Sequence, residues 1–83
     1  MHLYFVYIID MIYKNISSLT ILRKRKQLSQ QSLAEKLNVT QVTISLWENG
    51  ISYPTIPTIY KLAQILEEPA EVVFKSFPIK REA

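Results

Sequence analysis

Residues 28–50, LSQQSLAEKLNVTQVTISLWENG, set two short amphipathic helices end to end with three residues between them. So short a connection cannot act as a flexible linker; it fixes one angle between the helices and makes them a single unit. Ser29 stands where a helix N-cap is needed, and Leu33, Ala34 and Leu37 then repeat at helical spacing as a buried stripe. Asn38 follows, the residue after glycine best suited to the left-handed conformation that ends a helix. Val39 points back to the core. Thr40 caps the next helix, residues 41–49, whose buried stripe is Ile44 and Trp47. Gly50, the only glycine in the chain, ends it.

The same reading extends on both sides. Ser17 or Ser18 can cap a helix running to about Gln27, with Leu19, Leu22 and the stem of Arg23 on one face. Residues 51–54 form a loop. Thr55 caps a fourth helix that tolerates Pro57 in its first turn and carries Ile56, Ile59, Tyr60, Leu62, Ala63 and Leu66 as its apolar face. Pro69 restarts the chain into a short fifth helix ending near Phe74 and anchored by Val72, Val73 and Phe74. The expectation is an all-α fold of five helices over residues 17–77, with a loose polar tail at 78–83. Eighty-three residues suffice for one small core, which covers only about 60–65% of the unfolded surface, so dimerisation would help stabilise it.

Residues 1–16, MHLYFVYIIDMIYKNI, are set apart by composition. Tyr, Phe, Val and Ile dominate residues 3–9, as in a β-strand. The run stops at Asp10, short of the about 20 residues that span a membrane, and it has neither the basic start nor the cleavage site of a signal peptide. Three readings stand: a strand pairing with a second subunit, an apolar arm packed on its own domain, or a leader upstream of a start at Met11. The first makes residues 1–10 a support for dimerisation.

Ten basic and seven acidic residues give a net charge of +3. The distribution is uneven: Lys14, Arg23, Lys24, Arg25, Lys26 and Lys36 crowd the first half, and Glu48, Glu67, Glu68 and Glu71 the second. A basic half suits a polyanionic partner, although Arg23 to Lys26 alone would read as a solvated helix face. The absence of cysteine excludes disulfides and thiolate metal sites and fits a cytoplasmic protein.

Once its core stripe is removed, the third helix still offers Gln41, Val42, Thr43, Ser45 and Leu46. A helix entering the major groove presents its N-terminal turn to the base edges, and Gln41 there can pair with adenine through both amide atoms. Thr43 and Ser45 can meet bases or phosphates. Val42 and Leu46 share a face that could touch thymine methyls, or could pack on a neighbouring helix or a second subunit. Helix N-termini bind anions, which nominates Gln30 and Thr40 for phosphate contact. Asn49, Lys36 and Arg25 are the further candidates.

Leu28, Ser29, Gln30, Leu33, Ala34, Leu37, Val39, Ile44, Ser45, Glu48 and Gly50 together resemble the helix-turn-helix of lambda-repressor-like (Xre-family) DNA-binding domains. The likeness continues through Pro54 and the Leu62-Ala63 pair to Phe74, covering about residues 19–74. It implies a compact five-helix domain with the helix-turn-helix in helices 2 and 3, and binding to a double-stranded DNA operator as a homodimer. It also implies a buried or half-buried ion pair between Arg23 and Glu48, which gives both a structural role. Asn38 replaces the usual turn glycine, and Leu46 stands where related domains often carry a polar base-reading residue.

The expected function is a sequence-specific transcriptional regulator, a repressor, reading DNA with residues 41–49. The alternative is an antitoxin-type module that neutralises a protein partner and autoregulates its operon. The tail after Pro78 is too short to wrap an enzyme, which leaves the N-terminal arm for that task. No enzymatic activity, metal or other cofactor is expected: His2 is the sole histidine, and no nucleophile–base spacing appears.

Overall fold

The computed structural model describes residues 18–77. The arm expected over residues 1–16 and the tail expected over 78–83 lie outside the described residues. Among the described residues five helices follow in order: α1 (Ser18–Arg25), α2 (Gln30–Leu37), α3 (Gln41–Glu48), α4 (Ile56–Leu66) and α5 (Ala70–Lys75). None exceeds eleven residues, below the length at which an isolated helix holds in water, so tertiary packing stabilises all of them. No described helix is long and apolar enough to cross a membrane.

Three N-caps form as their sequence suggests. Ser29 Oγ accepts from the Ser32 N–H at 2.9 Å, Thr40 Oγ1 from the Thr43 N–H at 3.1 Å, and Thr55 Oγ1 from the Thr58 N–H at 3.4 Å. The ends of α1 to α4 share one device, whereas α5 ends on Ser76 in the right-handed region. Gln27, Asn38, Gly50 and Glu67 each adopt a left-handed conformation, with φ of 59°, 61°, 71° and 57°. At each, the next residue's N–H reaches back five positions, as from Leu28 to the Arg23 carbonyl and from Val39 to the Ala34 carbonyl. These are Schellman motifs. Only one of the four uses glycine. Because Gln27 takes this conformation, α1 stops at Arg25, two residues before its expected end.

Every helix contributes to one core: Leu19 and Leu22 from α1, Leu33 and Leu37 from α2, Ile44 and Trp47 from α3, Ile59, Leu62 and Leu66 from α4, and Val73 from α5. Leu28 and Val39, the residues just past two left-handed caps, pack against it. Two expectations need correction. Ile56 and Tyr60, assigned to the apolar face of α4, are 55% and 60% exposed. At about 100° per residue they project roughly 70° and 110° away from the stripe centred on Ile59, Leu62, Ala63 and Leu66. Phe74, assigned as an anchor, keeps 38% of its surface open and is not part of the core, and Phe77 is buried in the core instead.

Ion pairs join the end of α1 to the turn after α4. Arg25 Nη1 lies 3.4 Å from Glu68 Oε2, and Lys26 pairs with Glu67. The Lys26 ammonium holds the Glu67 carboxyl below its usual range, by hydrogen bond first and by charge second. Glu67 is exposed, so this contact orients the turn more than it stabilises it.

Candidate nucleic-acid interface

α3 is divided lengthwise. Ile44, Trp47 and Glu48 are buried, whereas Gln41, Val42 and Asn49 are exposed and Thr43, Ser45 and Leu46 are partly so. Val42 alone keeps 66% of its surface open, although a valine in a helix of a small domain usually finds cover. Beyond the helix, the Ile51 N–H returns to the Leu46 carbonyl at 2.9 Å, and the Tyr53 hydroxyl donates to the Gly50 carbonyl at 3.1 Å. The loop after α3 is thereby drawn back onto the helix end.

Below this face lies a buried polar cluster. Arg23 Nε donates to Glu48 Oε2 at 2.6 Å and Arg23 Nη2 to Glu48 Oε1 at 3.2 Å. The remaining arm of the guanidinium, Nη1, donates to the Leu28 carbonyl at 2.8 Å. Glu48 Oε1 also accepts from Thr20 Oγ1 at 2.8 Å and from Gln30 Nε2 at 3.0 Å. Burial pushes the Glu48 carboxyl up, but the hydrogen bonds from Arg23, Gln30 and Thr20, with the Arg23 charge, outweigh it and hold the group below its ordinary value. Charge-assisted bonds of this kind are the strong ones.

Gln30 carries the cluster outward. With its amide nitrogen committed to Glu48, its Oε1 is left to accept from Gln41 Nε2 at 3.4 Å. The first residue of α2 thus meets the first residue of α3, and both connect to the ion pair that joins α1 to α3.

The other candidates occupy distinct settings. Thr40 and Thr43 share a hydroxyl contact of 2.9 Å at the start of α3. Asn49 Nδ2 donates to the Ser45 carbonyl at 2.8 Å and lies 3.4 Å from Ser45 Oγ, which fixes both side chains along the outer face. Lys36 is exposed on the last turn of α2. Arg25 is turned to Glu68 at the α1–α4 junction. Sequence reasoning missed Thr20 and the inward bond of Gln30, because a partner 28 or 18 positions away leaves no local pattern. The one sequence signal concerned Gln30, which, like Gln41, directly follows a capping hydroxyl residue.

Residues 19–73 match the helix-turn-helix (HTH_3) family. Over 53 residues the chain is 36% identical to the HTH-type transcriptional regulator DicA of Escherichia coli (strain K12). That stretch is 63% of this chain and 39% of the relative, so the chain spans well under half of that protein's length. No solved structure gives a significant match.

Proposed function

The chain belongs to the helix-turn-helix (HTH_3) family, and from that premise we propose that it is a sequence-specific regulator of transcription that binds double-stranded DNA. In this reading it acts as a repressor and as a homodimer. Residues 17–77 are the working unit, and residues 41–49 enter the major groove. The reading is carried by the open outer face of α3, whose opposite side is locked into the core through Ile44, Trp47 and Glu48. A reader must be rigid beneath and free above.

The chemistry of that face suits base edges. Gln41 gives one amide proton to Gln30 and keeps a second proton and its carbonyl oxygen, the pair that adenine N7 and N6–H require. Val42 offers an apolar contact to a thymine methyl, with Leu46 one turn further on. Thr43 and Ser45 supply hydroxyls. Gln30 and Thr40 stand at two helix starts, where N–H groups favour phosphate. Asn49 and Lys36 extend the backbone contact, and Arg25, paired with Glu68, adds to the positive field. The activity is binding without bond chemistry or a cofactor, and its setting is the cytoplasm. DicA, the relative similar to this chain, is a transcriptional regulator, which supports the same reading.

Selection of bound fragments from genomic DNA tests the proposal. The expected result is a two-fold symmetric consensus with half-site centres about 10 bp apart, or a multiple of that spacing. Recovery of fragments with no shared sequence would reject a sequence-specific regulator, and a single unrepeated site would reject the homodimer.

A further inference from the structure

The flank of α4 that carries Ile56 and Tyr60 does not end at solvent. It forms one wall of a groove whose other wall is α5, lined by Ile56, Ile59 and Tyr60 on the first and by Ala70, Glu71 and Phe74 on the second. Ile56, Tyr60 and Phe74 are 55%, 60% and 38% exposed. The volume, about 260 Å³, falls below the roughly 300–1,000 Å³ of small-molecule pockets. The polar groups at hand are the Tyr60 hydroxyl and the carboxylate of Glu71, which is paired with Lys75 at 3.0 Å. The groove therefore suits apolar side chains rather than a polar ligand.

We propose that residues 3–9 of the same chain occupy this groove. Those residues, Leu3, Tyr4, Phe5, Val6, Tyr7, Ile8 and Ile9, form an uncharged apolar run, and a run of that kind in water needs a cover. Three arguments favour it over a second copy of the chain. The open apolar surface of the groove's three large side chains amounts to about 300 Å², short of the about 800 Å² per partner of a stable dimer. Residues 10–17, eight in number, tether the run to α1. Extended, they reach about 26 Å, within the range of the molecule's principal extents of 34 × 31 × 20 Å. Covalent attachment through so short a tether also gives an effective concentration in the millimolar range, far above that of a second molecule in dilute solution.

The chain has no cysteine of its own, so an engineered pair reports without background. Full-length chains carrying Val6→Cys with Tyr60→Cys, and Val6→Cys with Phe74→Cys, would be oxidised mildly and resolved on non-reducing gels. Val6→Cys with Glu35→Cys, on the exposed face of α2, serves as the comparison. Circular dichroism selects the folded variants, and the two groove positions back each other up. The expected result is an intramolecular disulfide formed at least tenfold faster at Tyr60 or Phe74 than at Glu35. Equal rates at all three positions would overturn the proposal. Cross-linked dimers at the groove would overturn it too, by showing that the occupant comes from a second copy.

Discussion

Arg23 Nε and Glu48 Oε2 lie 2.6 Å apart across 25 positions of sequence, both side chains less than a tenth exposed. This contact joins α1 to the last residue of α3 and sets the depth at which α3 sits. Truncating one partner leaves the other charged and buried. Arg23→Ala or Glu48→Ala is expected to cost about 3–5 kcal/mol, a large share of a small domain's stability. Replacing both together, as Arg23→Met with Glu48→Leu, should recover part of that loss. Recovery stays incomplete because Thr20, Gln30 and the Leu28 carbonyl still lose their partners. Urea denaturation of the four proteins measures this, and single losses below about 1 kcal/mol would mean that the pair behaves as an exposed one.

The same carboxylate sets an acid response. Burial raises the Glu48 pKa, the bonds from Arg23, Gln30 and Thr20 lower it, and the net shift is downward from 4.5. A depressed folded-state pKa contributes stability that is fully present above the unfolded value and is lost as pH falls through the folded one. The stability gap between the natural chain and Glu48→Gln is therefore expected to be constant near neutrality and to narrow below about pH 4.5. Chemical denaturation at a series of pH values checks it; a gap that stays level or widens into acid contradicts the assignment.

Left-handed helix ends give an independent test. A left-handed non-glycine residue costs about 1–2 kcal/mol, offset in part by glycine's larger entropy loss on folding. Gln27, with φ of 59°, has an exposed side chain, so Gln27→Gly is expected to stabilise the domain by about 0.5–1 kcal/mol. Asn38→Ala should act in the opposite sense by about 1 kcal/mol, since alanine lacks asparagine's tolerance of this conformation. A thermal melt that moves up for the first and down for the second is the expected result; no movement in Gln27→Gly would show that its backbone carries no strain.

These helix ends also mark the limit of what sequence alone conveys. Ser29, Thr40, Thr55, Asn38 and Gly50 have chemistry suited to one position, and each could be placed by eye. Gln27 and Glu67 have none, and their conformation follows from where Leu28 and Glu68 must go next. The core stripes of α2 and α3 were legible because Leu33, Ala34 and Leu37, and then Ile44 and Trp47, recur at helical spacing. Ile56 and Tyr60 were misplaced because a hydropathy count cannot separate the centre of a stripe from its flank. Phe77 was overlooked because it follows the last helix, where no periodicity points inward. Within the candidate interface, the exposed residues of α3 came from subtraction of the core. The bracing of Gln41 by Gln30 required the fold, since it depends on Glu48 already holding the other end of the Gln30 amide.

That bracing leads to a prediction about recognition. Gln41→Ala removes both amide atoms offered to a base and is expected to relax preference at one base pair of the operator by about 1–3 kcal/mol. The fold should be unaffected, because Gln41 is exposed. Gln30→Ala leaves Gln41 in place but frees it to sample other rotamers, so the preference at that same base pair should weaken by a smaller amount. The pair should then be non-additive in a double-mutant cycle, Gln30→Ala costing little once Gln41 is gone. Affinities for the operator, for its single-base variant and for random DNA, each across a salt series, provide the measurement. A phosphate contact would lower all three affinities together and flatten the salt dependence, whereas a base contact erases only the difference between operator and variant. Equal loss on operator and random DNA with an unchanged salt slope would remove Gln41 from the reading surface and leave Val42 as the exposed residue on which discrimination would have to rest.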